Sequence, residues 1–186
     1  GGGEILFVSH SADPSEAVQK TNDYMTAYGD TDCIYATGED YITPAADVIK
    51  SRGITDCKIY GSNISPSVCQ LIMDGQVEAC TGGEFVCGSL AVTLLINYLD
   101  GNPIKDADGT APYFDNLTQF MVTAENAEDF YEFLSDENLA THTISDEEYQ
   151  NLLVRNNPDV DYDYFYDFLT NYEENVYAKV EANAAQ

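Results

Sequence analysis

Short apolar runs alternate with longer amphipathic segments through the first half of the chain. Four of these runs are short enough to form buried strands, and they span residues 5–8, 33–37, 57–61 and 77–81. Between the runs, apolar side chains recur at the three- and four-residue spacing of a helix. This alternation predicts an α/β fold in which an open parallel sheet carries helices on both faces, giving three layers.

The ends of the predicted helices carry local start and stop signals. Asp13 precedes Pro14 and Glu16, which predicts an N-cap, a proline in the first turn and a capping box for the first helix. Gly53 predicts the end of a second helix that begins near Pro44. Both signals stand at the borders of apolar runs, so they support the same order of strands and helices.

The rest of the chain continues with helices and one further strand. Residues 85–99 are apolar nearly all round, which predicts a long and largely buried helix. A strand over 119–122 and a helix over 127–134 follow, and Ser145 with Glu148 predicts the capping box of a later helix. The last predicted helix has one apolar face, which we interpret as core and which comprises Phe165, Phe168, Leu169, Tyr172, Val176 and Val180.

Negative charge is the extreme property of the composition. The 186 residues include 33 acidic side chains against 7 lysines and arginines, a formal net charge of -26. Such a surface repels phosphate backbones and anionic lipid, so we expect no binding to nucleic acid or to a membrane surface. We interpret the acidity as a means of solubility or as an adaptation to salt.

No segment has the pattern of a spanning helix or of a signal peptide. The most apolar segment is shorter than the roughly 18 residues that cross a bilayer, and the start lacks a basic region followed by an apolar one. The chain opens on three glycines and enters an apolar run almost at once. We interpret this opening as a fragment boundary, with any export signal upstream.

Neither the cysteines nor the histidines form a metal-binding pattern. The five cysteines contain no C-x-x-C pair, and two histidines supply no zinc-ligand spacing. We therefore expect no cofactor and interpret the cysteines as small core residues. Cys33 and Cys57 open two similar strands and could lie side by side.

Known catalytic motifs are absent from the sequence. Neither His10 nor His142 lies near a nucleophile elbow or a recognisable cysteine signature. The turn at Gly82 and Gly83 lacks the P-loop pattern, and the carboxylate of Glu84 would repel a phosphate. We therefore predict that the protein is not an enzyme.

Acidic residues near the end of the chain resemble the start of a calcium loop. Asp159, Asp161 and Asp163 alternate as in an EF-hand, but the sixth and twelfth loop positions hold Tyr164 and Thr170 in place of Gly and Glu. We reject an EF-hand on this ground. A hydrolase with paired carboxylates stays open as a third hypothesis, because acidic residues are so abundant.

Five segments, in order and at the right spacing, are similar to the C-terminal lobe of type I periplasmic sugar-binding proteins of the ribose/galactose-binding type. They are residues 32–40 (DCIYATGED), 57–63 (CKIYGSN), 74–81 (DGQVEACT), 100–103 (DGNP) and 120–127 (FMVTAENA). The resemblance implies that residues 1–135 form this lobe, without the N-terminal lobe and without the first βα unit. We predict that residues 136–186 form an acidic, Tyr-rich helical extension packed on the lobe.

The resemblance also implies a binding site at the carboxyl ends of the strands, in a cleft shared with another lobe. The residues of this chain that it assigns to ligand binding are Asp13, Glu16, Glu39, Asn63 and Glu84. No residue is predicted to be catalytic, because the family captures its ligand without covalent chemistry.

Several of these positions depart from the family pattern. Where the family has Asn-Asp this chain has Gly38 and Glu39, and the strand-end Asp of the family becomes Asn63. A frequent Gln falls on Gly82, and an Arg at the start of the first helix falls near Glu16. These replacements favour a polyol, an amino sugar or another cationic solute over a simple pentose or hexose.

The resemblance implies three partners and a location. The partners are a sugar-like small molecule, the missing N-terminal lobe and the membrane permease of an ABC uptake transporter. The location is extracellular or periplasmic, with a lipid anchor in the full-length protein. The alternative function is the effector-sensing domain of a lactose-repressor-type transcription regulator, which shares this lobe and carries a basic helix-turn-helix upstream.

Overall fold

The computed structural model describes residues 3–84, 86–135 and 143–185. They form two compact units. The sheet unit comprises the residues up to 81 together with 121–131, and the helical unit comprises 82–120 together with the residues from 132 onwards. The predicted domain boundary near residue 135 is not tested by this division and stays a prediction.

Helices and strands alternate along the first part of the chain, and helices dominate the last part. The elements are α1 Pro14–Ala27, β1 Cys33–Ala36, α2 Glu39–Ser51, β2 Lys58–Ser62, α3 Pro66–Met73, β3 Ala79–Gly82, α4 Val86–Leu99, β4 Phe120–Thr123, α5 Ala127–Ser135, α6 Asp146–Asn151, α7 Tyr162–Thr170 and α8 Tyr172–Ala184.

The four strands form one sheet in the order β1-β2-β3-β4. β1 runs parallel to β2, with Tyr35 opposite Tyr60, and β2 runs parallel to β3, with Gly61 opposite Cys80. Parallel neighbours place their carboxyl ends at one edge of the sheet. This arrangement confirms the predicted α/β fold with an open sheet flanked by helices.

The core of the sheet unit lies between α2 and the first two strands. Ile42 of α2 and Ile59 of β2 are fully buried there. Gly61 allows the close approach, because a Cβ atom at this position would lie 2.4 Å from Cδ1 of Ile42. Alternate strand positions, such as Tyr35 and Tyr60, are exposed, as the two-residue period of a strand requires.

The predicted strand over residues 5–8 is wrong. The structure assigns no strand there, and Ile5 and Val8 are 80% and 77% exposed. An apolar run becomes a strand only where a neighbour satisfies its backbone N–H and C=O groups. None of the described strands pairs with this segment.

The helix over 85–99 is present as α4, but its predicted burial is wrong. Leu95 and Leu99 are 53% and 72% exposed, whereas Thr93 and Asn97 are buried. The reason is a specific polar contact: the Asn97 side chain is hydrogen-bonded to the loop after α6. The buried face of the helix therefore combines Val86 and Leu90 with the polar Thr93 and Asn97.

Most of the predicted helix signals are confirmed. The Asp13 side chain accepts a hydrogen bond from the backbone N–H of Glu16 at 2.9 Å, and Ser145 and Glu148 form a complete capping box at α6. α2 begins at Glu39, earlier than predicted, and contains Pro44. The proline lies inside the helix, at its sixth residue, so the helix lacks the hydrogen bond that an N–H at this position would donate.

The predicted last helix is two helices, because the chain breaks at Asn171 between α7 and α8. Most of its apolar face is core, as predicted: Phe165, Leu169, Tyr172, Val176 and Val180 are buried, whereas Phe168 is half-buried. α7 begins at an Asp161 cap, whose side chain accepts from the N–H of Tyr164 at 3.0 Å. Among the described residues, no helix is both long and apolar enough to cross a membrane.

Candidate functional site

An open groove of about 400 Å³ lies on the sheet unit between the start of α1 and a face of α2 that runs from Glu39 to Asp47. α2 starts directly after β1, so the Glu39 end of the groove lies at the carboxyl end of that strand. Its lining residues are Pro14, Ser15, Val18, Glu39, Asp40, Thr43, Pro44 and Asp47. We call it the acidic groove.

The α1 wall of the acidic groove is held by the helix cap. Asp13 caps the helix, and the carboxylate of Glu16 accepts a hydrogen bond from the backbone N–H of Ala12 and pairs with Lys20 at 2.9 Å. The Ala12 N–H and the Lys20 ammonium hold the pKa of Glu16 below its usual range. The carboxylates of Asp13 and Glu16 are therefore engaged locally, beside the groove.

Glu39 links the ends of the first two strands. It is the first residue of α2, and its carboxylate accepts a hydrogen bond from the hydroxyl of Ser67 in α3. The Ser67 hydroxyl lies 3.0 Å from that of Ser65, which caps α3 by accepting from the N–H of Val68. A chain of polar groups therefore runs along the carboxyl edge of the sheet.

Asn63 follows β2 on the same edge. Its φ angle is +74°, in the left-handed region that asparagine tolerates better than most residues, and it is exposed. The structure thus places Glu39 and Asn63 after neighbouring strands, as predicted. The hydroxyl of Tyr41 donates to the carbonyl of Ser11 at 3.1 Å and ties the segment before α1 to α2.

Glu84 lies in the helical unit, just before α4. Its Oε2 atom is buried and has no hydrogen-bond partner among the described residues. The predicted ligand-binding residues are therefore divided: four of them belong to the sheet unit and Glu84 does not.

The acidic groove is suited to hydrogen-bond donors. Glu39, Asp40 and Asp47 line it, and no lysine or arginine is among its lining residues. Carboxylates accept hydrogen bonds from hydroxyl and ammonium groups and repel phosphates. Within the described ranges, no group of three or more His, Cys, Asp and Glu side chains is placed to hold a metal ion. His142 lies outside the described residues.

None of the five cysteines, all of which the structure describes, forms a disulfide. Cys57, Cys69 and Cys80 are buried, as predicted for small core residues, whereas the same prediction is wrong for the exposed Cys33 and Cys87. Burial raises the pKa of Cys69 to about 12, so this thiol stays protonated and unreactive at neutral pH.

Sequence patterns missed Ser67 and Tyr41. Ser65 followed by Pro66 is a helix-start signal, and it would have placed Ser67 in the first turn of α3. No local signal indicates that Ser67 meets Glu39, because that contact joins two different helices.

Residues 2–103, more than half of the chain, match the model of a family described as periplasmic binding protein domain. No curated protein matches the chain in sequence.

Several solved structures share the fold. The periplasmic binding protein component of the arabinose ABC transporter from Shewanella sp. ANA-3, bound to L-arabinofuranose, is 20% identical over 69% of this chain and 42% of that protein, with a TM-score of 0.55. A periplasmic sugar-binding protein from Pseudomonas fluorescens is 18% identical over 82% of this chain and 45% of its own, with a TM-score of 0.59. The sugar-binding protein of a sugar ABC transporter from Bacillus halodurans is 18% identical over 69% and 46%, with a TM-score of 0.55.

Because the sequence identities are 20% or lower, the similarity to these three proteins shows a shared fold and no more. The chain spans less than half the length of each of these three proteins.

Proposed function

Because the chain belongs to the periplasmic binding protein domain family, we propose that it is part of the carbohydrate-binding component of an ABC uptake transporter. The observation that carries the proposal is the acidic groove at the carboxyl end of β1. Ligands of open α/β sheets bind outside the carboxyl ends of the strands. The carboxylates there supply acceptors for the hydroxyl groups of a sugar.

Glu39 and Asn63 are the proposed direct contacts to the solute. Both follow neighbouring strands, and both carry oxygen atoms that accept hydrogen bonds. Asp13 and Glu16 contact the solute only from the rim, since their carboxylates cap α1. With an excess of carboxylates and no cation among the lining residues, the groove favours a polyol or an amino sugar.

A second lobe completes the binding cleft in this proposal. The three related structures are more than twice as long as the part that this chain matches, and in this proposal two lobes close around the solute like a hinge. The closed form then docks on the membrane permease of the transporter. The protein works outside the cytoplasmic membrane, in the periplasm or tethered to the cell surface by a lipid anchor.

Isothermal titration calorimetry of the two-lobed protein tests the proposal. The panel contains L-arabinose, D-galactose, a polyol such as sorbitol, and D-glucosamine. We expect saturable binding of at least one member with a Kd below about 1 mM, equivalent to about 4 kcal/mol. If no member binds at millimolar concentration while a simple amine or a peptide does, the carbohydrate assignment is wrong.

Paired substitutions at the two ends of β1 test the site. Glu39→Gln removes a carboxylate at the carboxyl end but keeps an oxygen that can accept from Ser67, whereas Asp32→Asn removes the same charge at the opposite end. We expect Glu39→Gln to weaken binding about tenfold, or about 1.4 kcal/mol, and Asp32→Asn to leave it unchanged. Equal effects of the two variants would remove Glu39 from the site.

A further inference from the structure

Two serines at the start of α3, which we call the serine pair, connect that helix to the carboxylate of Glu39. The backbone N–H of Val68 donates to the Ser65 hydroxyl at 3.3 Å, and the hydroxyls of Ser65 and Ser67 lie 3.0 Å apart. The Ser67 hydroxyl donates to Oε1 of Glu39. All of these residues belong to the sheet unit, and the contacts join the helices that follow β1 and β2.

The direction of the hydrogen bonds in the serine pair follows from the number of protons. A serine hydroxyl carries one proton, and an ionised carboxylate can only accept. The proton of Ser67 is used in the bond to Glu39, so Ser65 is the donor in the bond between the two serines. The Ser65 oxygen in turn accepts from the N–H of Val68. Neither hydroxyl therefore keeps a proton that it could donate to a solute.

The start of α3 strengthens this arrangement. The N–H of Val68 lies in the first turn of the helix, at the positive end of the helix dipole. Hydrogen bonds that run in one direction polarise one another, so the Ser67 hydroxyl becomes a better donor towards Glu39.

Only one of the two carboxylate oxygens of Glu39 is used by the serine pair. Its other oxygen, Oε2, accepts no hydrogen bond from the part of the chain that the structure describes, and the half-buried side chain lines the acidic groove. A side chain that is already held in place loses less conformational entropy when a ligand binds to it. Oε2 is therefore the oxygen that Glu39 can offer to a solute.

The charges near Glu39 favour a positively charged donor at Oε2 over a neutral one. Asp40 and Asp47 line the same groove, and neither is paired in the salt bridges of the described residues. Hydroxyl and ammonium groups can both donate to a carboxylate. Only the ammonium group gains the additional Coulomb attraction of the neighbouring carboxylates.

We infer that Ser67 is a positioning residue that holds Oε1 of Glu39 and thereby leaves Oε2 to receive an ammonium group of the solute. This role rests on the proposed function, and it narrows the solute from a polyol or an amino sugar to an amino sugar. A neutral sugar could donate to the same oxygen but would gain nothing from the charge of the groove.

Side-chain couplings test the positioning of Glu39 in the 186-residue chain without any solute. Three-bond couplings from the backbone nitrogen and carbonyl carbon to Cγ of Glu39 report the populations of its χ1 rotamers. We expect the dominant rotamer to fall from more than about 80% in the parent chain to about 50% in Ser67→Ala. Ser67→Thr keeps a hydroxyl and should restore the parent value.

The control for the couplings is Ser15→Ala. Ser15 is exposed and follows Pro14 in the first turn of α1, as the exposed Ser67 follows Pro66 in α3. The change therefore removes a hydroxyl at the same helix position, but not the one that donates to Glu39. If Ser67→Ala changes the couplings of Glu39 no more than Ser15→Ala does, or if Ser67→Thr does not restore them, Ser67 has no positioning role.

Calorimetry of the two-lobed protein tests the choice of solute. D-glucosamine and D-glucose differ only at C2, where an ammonium group replaces a hydroxyl at about pH 6. We expect the parent protein to bind D-glucosamine at least about tenfold more tightly than D-glucose. Ser67→Ala should reduce this ratio about fivefold, and Ser67→Thr should keep it.

The possible failures of the two measurements can be told apart. If D-glucose or another neutral sugar binds as tightly as D-glucosamine, the proposed function stands but the assignment of an ammonium group to Oε2 is wrong. If no sugar or polyol binds, the proposed function is wrong and the amino sugar with it. The couplings decide in either case whether Ser67 holds Glu39.

Discussion

Asn97 shows how one polar side chain decides the orientation of an apolar helix. Its Nδ2 donates to the carbonyl of Leu152 and its Oδ1 accepts from the N–H of Val154, both at 2.9 Å. A single amide thereby satisfies a buried donor and a buried acceptor of the loop after α6. Asn97 faces inward for this reason, beside Leu90 and Thr93, and Leu95 and Leu99 face outward.

Asn97→Asp should be destabilising in a way that depends on pH. The carboxylate could still accept from Val154 but would face the Leu152 carbonyl, so we expect a loss of about 2–3 kcal/mol at pH 7. Burial raises the pKa of such a carboxyl, so it becomes protonated at mildly acidic pH. The protonated group can again donate a hydrogen bond to the Leu152 carbonyl, and the loss of stability becomes smaller. Chemical denaturation at pH 7 and at about pH 4 measures this.

The matched control is Asn102→Asp, which makes the same change at an exposed position. The role assigned to the amide would be contradicted if Asn97→Asp lowered the free energy of unfolding equally at both pH values. It would also be contradicted if Asn97→Asp lowered this free energy no more than Asn102→Asp does.

The candidate site was predictable from the sequence only in part. Glu39 and Asn63 could be named because they fall on sugar-contacting positions of the family that the sequence resembles, near the carboxyl ends of two predicted strands. Ser67 could not, since its contact with Glu39 spans 28 positions and depends on how α2 and α3 pack.

At the scale of elements, signals that act within a few residues were the most reliable. The caps at Asp13 and Ser145 form as predicted, because a cap needs only the first turn of its own helix. The apolar run over 5–8 gave a wrong strand, since a strand depends on a neighbour that local pattern does not reveal. The exposed apolar side of α4 was not predicted for the same reason, because a local pattern does not show which part of the chain the helix contacts.

The capping box of α6 is also a tertiary contact. Glu148 accepts from the N–H of Ser145 at 2.6 Å and pairs with Lys179 of α8 at 2.5 Å, and Lys179 also donates to the carbonyl of Thr143. Burial alone would raise the pKa of Glu148, but the Lys179 ammonium and the Ser145 N–H outweigh it and lower the pKa.

Glu148→Gln should therefore lower stability at neutral pH, by about 1–2 kcal/mol. A carboxylate with a lowered pKa stabilises the fold above its unfolded pKa, about 4.3, and loses this contribution as pH falls through the folded value. The difference in Tm between the parent chain and the variant should accordingly shrink below about pH 4. Glu147→Gln, at an exposed neighbour, is the control, and a difference that stays constant with pH would contradict the assignment.

At the scale of the whole molecule, charge and fold point to the same class of partner. A net charge of -26 disfavours phosphate-rich partners by repulsion but leaves neutral and cationic solutes free to approach. The chain belongs to a family of binding-protein domains, and one end of the acidic groove lies at the edge where open α/β sheets bind their ligands. In the proposed function this chain is one of two lobes, so by itself it supplies half of the cleft and binds a solute weakly.

Chemical-shift mapping of the backbone amides of the 186-residue chain tests this account most directly. D-glucosamine, D-galactose and sorbitol are each titrated to about 10 mM, a range suited to weak binding. We expect saturable shifts at residues 38–43 and 63–67, and none at residues 30–32 and 55–57 at the opposite edge of the sheet. Shifts confined to that opposite edge, or none with any of the three solutes, would contradict it.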